Sequence, residues 1–215
     1  MKHEELITKL KEYLFNIYSK FTENGGGYNY RYLHAERVTN VALKYANKYP
    51  EGVDKKALEI SCLLHDIGKI KFRTGNKINL DVEESLHCIE GAKESKKILK
   101  KLGCTDDELI EKVYNIILNH HSTKHEIKEV EILQNSDDLD EFGYLSVWRM
   151  FCYSAIKKRY PQGCCDYWKG EYPVAKKKIE KNLSIDFFKE IGRKRVEKCN
   201  DMILEFEREA NSNDF

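Results

Sequence analysis

The residues whose types and spacing first suggest a metal site are His34, the adjacent pair His65-Asp66 and the acidic run Asp137-Asp138-Leu139-Asp140. Imidazole and carboxylate together suit a borderline divalent ion such as Mn, Fe, Co, Ni or Zn, whereas an all-oxygen set would suit Mg or Ca. The pair His65-Asp66 needs a reason most of all, because it follows Leu63-Leu64 at what reads as the end of a buried helix. An ionised carboxylate is costly to bury unless it is paired or bound to a cation. Gly68 reads as the left-handed residue that stops this helix, with Lys69 following at its mouth.

Helices must position these groups, because apolar spacing along the chain is helical and alternating strand patterns are scarce. A first helix is expected over about residues 3 to 21, with Ile7, Leu10, Leu14, Ile17 and Phe21 as its stripe. Gly25-Gly26-Gly27 then makes a loop, without the strand or Gly-Lys-Ser/Thr that a phosphate loop requires. A second helix, roughly 30 to 48, carries His34 on one face with Val38, Val41 and Tyr45. A third starts at an Asp54 cap and ends at Gly68. A fourth opens at Asp81-Val82-Glu83-Glu84 and runs to Gly103. The capping box Thr105-Asp106-Asp107-Glu108 opens a fifth, which turns Val113, Ile116, Ile117 and His120 inward. A sixth carries Ile132, Leu133, Asp137 and Leu139. Tyr160 to Tyr172, with Pro161, Gly163 and Gly170, is expected as a loop before two last helices over about 173 to 182 and 185 to 210. The fold class is therefore all α, and ligands on separate helices of such a bundle can converge on one ion.

The chain of 215 residues is long enough to bury a real core as one domain. Its 37 Lys+Arg nearly cancel its 36 Asp+Glu, so bulk charge supplies no reason to expect nucleic acid or a membrane as partner. No stretch is long and apolar enough to cross a membrane. Met1-Lys2-His3-Glu4-Glu5 is polar and unlike a signal peptide, so a cytoplasmic location is expected. The seven cysteines contain no C-x-x-C and are expected to be reduced. Cys62 and Cys152 read as small core residues, and Cys164-Cys165 as loop thiols. Oligomeric state is not legible.

His34…His65-Asp66…Asp137 resembles the H…HD…D signature of the HD-domain phosphohydrolase superfamily. The flanks are similar as well: His34-Ala35-Glu36-Arg37-Val38 resembles H-x-x-R-V, and Leu63-Leu64-His65-Asp66-Ile67-Gly68-Lys69 resembles LLHDIGK. Leu133-Gln134-Asn135-Ser136-Asp137-Asp138-Leu139-Asp140-Glu141-Phe142-Gly143 resembles LQDADRLDALG. The likeness covers roughly residues 30 to 145. It implies an HD-domain helical bundle over residues 1–215, with the helices of 146–215 packing on the signature core. It makes Asp137 the ligand and Asp140 a supporting carboxylate. His87-Cys88-Ile89-Glu90-Gly91-Ala92 and Asn119-His120-His121 resemble segments of the branch with two metals. There Asp66 would bridge two ions, with His34, His65 and Asp137 on the first and His87 and His120 on the second. In the one-metal branch those histidines instead line the pocket and bind phosphate.

The activity so implied is hydrolysis of a phosphate ester in a nucleotide or related small molecule, by attack of a metal-activated water. Asp66, Lys69 and Asp140 would take part in the chemistry, and Arg37, Lys69 and His121 would meet the substrate. One or two divalent ions are expected. Two other readings stay open, an HD-fold di-iron oxygenase and a nucleotide-sensing domain without catalysis.

Overall fold

In the computed structural model, which describes residues 1–23, 27–79, 83–122 and 126–213, helical periodicity is realised nearly throughout. The backbone contacts divide into two units, Met1–Ser136 and Asp137–Phe215.

The first unit opens with α1 (His3–Tyr18), which buries Leu6, Ile7, Leu10, Leu14 and Tyr18. This helix stops before Phe21, because the chain turns there into β1 (Thr22–Glu23). β1 pairs antiparallel with β2 (Gly27–Tyr28) and parallel with β4 (Lys77–Ile78), which pairs antiparallel with β3 (Arg73–Thr74). The resulting small sheet has the order β2-β1-β4-β3. Its two-residue strands are too short to show alternation in sequence, so they are a local addition to an all-α fold. Gly25 and Gly26 of the expected glycine loop lie outside the described residues.

α2 (Tyr30–Lys48) packs on α3 (Lys55–Leu64), and α3 packs on α5 (Asp107–Leu118). α4 (Glu84–Lys101) lies against α5 and against a 3-10 turn, Ile67–Lys71. The core so formed includes Val38, Ala42, Leu58, Leu63, Leu64, Ile98, Leu99, Val113, Ile116 and Ile117. Burying a Leu or Ile side chain contributes roughly 1.5–3 kcal/mol, so this set is the main source of stability in the unit. Asp54 caps α3 as expected, its carboxylate accepting from the amides of Lys56 and Ala57 at 3.1 Å each. α5 is capped by Asp106 rather than Thr105, through the Leu109 amide at 2.9 Å. Just past the end of α4, Gly103 adopts φ +88°. Gly103 and Cys104 return their amides to the carbonyls of Lys100 and Leu99, the paired bonds of a glycine-terminated helix. Asp81 and Val82 of the expected α4 capping box lie outside the described residues.

α6 (Lys128–Asp140) begins in the first unit and ends in the second. Its start is tied down by buried Glu129, which accepts from the Asp54 amide at 2.6 Å and lies 3.5 Å from Lys112.

The second unit continues with α7 (Tyr144–Ile156), α8 (Pro161–Asn182) and α9 (Asp186–Ala210). Here the expected loop over Tyr160 to Tyr172 is corrected, because those residues belong almost entirely to α8. Pro161 occupies the first helical turn, where its missing N–H would have had no helical partner. Burial overcomes the propensity cost of Gly163, Gly170 and the interior Pro173. Cys164, Cys165 and Trp168 face Val147, Met150, Cys199 and Ile203 in one apolar cluster. Cys164-Cys165 are thus core residues of a helix, not loop thiols.

Candidate metal centre

The site is built where α3 gives way to the 3-10 turn. α3 ends at Leu64, and His65 and Asp66 follow at φ −52° and −96°. The adjacent imidazole and carboxylate both lie within the first unit's interior, 0% and 1% exposed. Gly68 does not stop the helix in a left-handed conformation, as its position suggests; it lies inside the 3-10 turn and is absent from the positive-φ residues. It is required for closeness instead. A Cβ there would run into the His87 carbonyl oxygen and the Gly91 amide nitrogen of α4. This contact brings α4, and with it His87, against the His65-Asp66 corner.

His34, on the inward face of α2, completes the first group. Ligand atoms of His34, His65 and Asp66 all lie within 4.8 Å of one another. Nε2 of His65 is 3.4 Å and Nε2 of His34 is 3.7 Å from Asp66 Oδ2. His65 Nδ1 donates to the Cys62 carbonyl at 2.8 Å, which places the ring proton on Nδ1 and the lone pair on Nε2. A backbone carbonyl behind an imidazole is the usual device for presenting a ring nitrogen to a metal.

A second group stands beside it. His87, Cys88, His120 and His121 also hold their ligand atoms within 4.8 Å. His120 lies just past the end of α5, and its Nδ1 donates to the Ile117 carbonyl at 2.6 Å. Its Nε2 is 3.4 Å from Nε2 of His87, which in turn is 3.7 Å from Asp66 Oδ1. Burial holds His87 uncharged by lowering its pKa to about 4. Burial, with His121 and His65 nearby, pushes His120 well below the usual imidazole range. Neutral imidazoles whose nitrogens face one another at this range are a donor set for a divalent ion. His121 lines, with Cys88, Glu83, Ser85, Leu118 and Ser122, a cleft of about 580 Å³.

Asp66 is the point where both groups and two cations meet. Lys69 Nζ is 2.8 Å from Oδ1, and Arg31 donates through Nη1 to Oδ2. Burial opposes the charge of Asp66, but Lys69, His65 and Arg31 outweigh it and hold the carboxyl well below the usual carboxylate range. The residue is an anion, as a ligand must be.

The structure brings together His34, His65, Asp66, Lys69, His87, His120 and His121 within the first unit. Arg37, the other expected phosphate contact, lies with its guanidinium 5.6 Å from the centre of the Tyr30 ring. Asp137 and Asp140 fall on the last turn of α6, in the second unit, half-buried and buried respectively. That turn is capped by guanidinium groups, Arg149 donating to the Asp140 carbonyl at 3.0 Å and Arg195 to the Leu139 carbonyl at 2.9 Å. Arg31, Glu23 and Cys88 were not singled out by sequence reasoning. For Arg31 the available signal was its place three residues before His34 on one helix face. For Cys88 it was adjacency to His87.

A family model described as HD domain matches residues 31–141. Solved structures resemble the chain over nearly its whole length. An HD-superfamily hydrolase from Bacillus thuringiensis has 21% identity and a TM-score of 0.68, covering 98% of this chain and 99% of that one. YpgQ of Bacillus subtilis, solved in complex with ADP, has 18% identity and a TM-score of 0.67, with 97% of each chain covered. The Lin1889 protein of Listeria innocua has 21% identity and a TM-score of 0.60, with 98% of each covered. At such identities the likeness is one of fold. No curated protein matches the sequence.

Proposed function

We propose, because this chain belongs to the HD-domain family, that it is a metal-dependent phosphohydrolase acting on a phosphate ester of a nucleotide or related small molecule. The observation that carries this reading is the convergence of His34, His65 and Asp66 within 4.8 Å, with His65 oriented by the Cys62 carbonyl and Asp66 held as an anion. Histidine with carboxylate fits Mn, Fe, Co, Ni or Zn better than Mg or Ca. Asp137 joins these ligands by its motif alone. A divalent ion held there would lower the pKa of a water and polarise a phosphoryl oxygen.

The chain's own residues supply the rest. Lys69, whose ammonium is one-fifth exposed beside Asp66, neutralises charge growing on the phosphoryl oxygens. His121 on the cleft wall and Arg37 bind phosphate, and Asp140 orients the water, a role assigned by its motif. The nucleotide class is supported by the ADP bound to YpgQ, a protein of the same fold.

His87 and His120, with Cys88 beside them, would hold a second ion, and Asp66 stands near enough to serve it, its Oδ1 being 3.7 Å from His87 Nε2. Elemental analysis of the purified protein, followed by a phosphatase screen over nucleotides with Mn, Co, Ni and Mg added back, tests the proposal. Asp66→Ala is expected to lose both metal and turnover. Full activity with stoichiometric metal in that variant would sink the assignment. Oxygen uptake by an iron-loaded protein would favour an oxygenase, and tight nucleotide binding without turnover across all metals would favour a sensor.

A further inference from the structure

We propose that Glu23 and Arg31 are positioning residues, which fix the orientation of Asp66 and so set how tightly it holds a metal ion. This rests on the reading of Asp66 as a ligand. Arg31 projects from the first turn of α2 into the interior and is 9% exposed; Glu23, on β1, is 8% exposed. The guanidinium spends its donors on two carboxylates. Nε donates to Glu23 Oε2 at 2.8 Å, Nη2 donates to Glu23 Oε1, and Nη1 donates to Asp66 Oδ2.

This arrangement has two consequences for Asp66. The bond from Nη1 occupies one lone-pair direction of Oδ2 and stops rotation of the carboxylate. The two bonds to Glu23 lock the guanidinium plane, so its remaining donor is aimed rather than searching. Glu23 also neutralises the charge of Arg31. Without it, Asp66 would face the full cations of both Arg31 and Lys69, and a metal ion entering the His34–His65–Asp66 group would be repelled. The small sheet thereby acquires a role: pairing of β1 with β4 holds Glu23 where Arg31 can reach it.

Outer partners of metal ligands change affinity by about 10–100-fold when replaced. Glu23→Gln keeps the shape but removes the charge, and Arg31→Lys keeps the charge but removes the fork. Cobalt(II) titrated into metal-free protein, followed by calorimetry and by its visible absorption, reads affinity and ligand geometry without turnover. Both variants are expected to bind cobalt about 10–100-fold more weakly, with altered visible bands. The double variant is expected to lose much less than the product of the two single losses, because the residues act as one unit. A merely structural pair would lower the melting temperature and leave cobalt affinity and spectrum as in the parent. Parent protein that binds no cobalt, or an Asp66→Ala variant that binds it equally well, overturns the ligand reading itself. Parent protein that binds cobalt, with either folded variant within twofold of it, overturns the positioning role alone. Should Arg31→Lys fail to fold, Glu23→Gln decides the matter.

Discussion

Asp66 is a buried anion with Arg31, Lys69 and three imidazoles around it, and what keeps one of these, His87 of α4, in reach is the absence of a side chain two residues later. Gly68 lets the 3-10 turn approach α4 until only backbone separates them. Backbone cannot swing aside as a flexible side chain can, so Gly68→Ala must push α4 away. The expected loss is about 3 kcal/mol, in the range of overpacked interiors, which for a chain of this length lowers the melting temperature by about 10 °C. A thermal melt checks this, and a variant melting with the parent would refute the close-packing role. The glycine itself stood out in the sequence, but its purpose did not. Beside a helix end a glycine suggests a left-handed cap, and the neighbour that forbids a Cβ lies about twenty residues further along the chain, on α4.

Helices deliver the candidate ligands, and their ends are where delivery can be tested. α3 is started by Asp54, which also meets Lys112 of α5 at 3.2 Å and passes its own amide to Glu129 of α6. Removing a capping carboxylate costs about 1 kcal/mol, so Asp54→Ala should destabilise by about that much at neutral pH. The pH dependence has a definite sign. Burial raises the Asp54 pKa, but the amides of Ala57 and Lys56 and the ammonium of Lys112 more than offset this and lower it. A folded pKa below the unfolded one gives stability that is fully present above about pH 4, the unfolded value, and is lost as pH falls through the folded one. Denaturant unfolding of both proteins should show a constant gap from pH 7 to 5 that closes in more acid solution; a gap that widens there would contradict the capping role. The Asp54 cap was readable because capping is local. α8 was not, since Pro161, Gly163 and Gly170 look like breakers until Trp168 and the Cys164-Cys165 pair are seen to have a core to bury against.

For the molecule as a whole, a ligand that binds only the folded chain stabilises it by mass action. Metal at about a hundredfold its dissociation constant should add about 2.7 kcal/mol, or about 8 °C in melting temperature, relative to chelator-treated protein. Asp66→Ala should show no such rise; an equal rise in that variant would place the ion elsewhere. Among the described residues no helix is long and apolar enough to cross a membrane, in keeping with the composition.

Residue type and short-range spacing determined the helical class, the inward face of His34 and the His65-Asp66 pair. They could do so because helix periodicity and a helix-end motif are encoded within a few residues. Only the tertiary structure decided that Glu23 and Arg31 brace Asp66, that Cys88 joins the second histidine group, that Gly68 serves closeness rather than capping, and that a proline- and glycine-bearing stretch is helix. Each depends on a segment distant in sequence arriving at the same place, and the free energy of that arrival is carried by packing between elements, which no local pattern records.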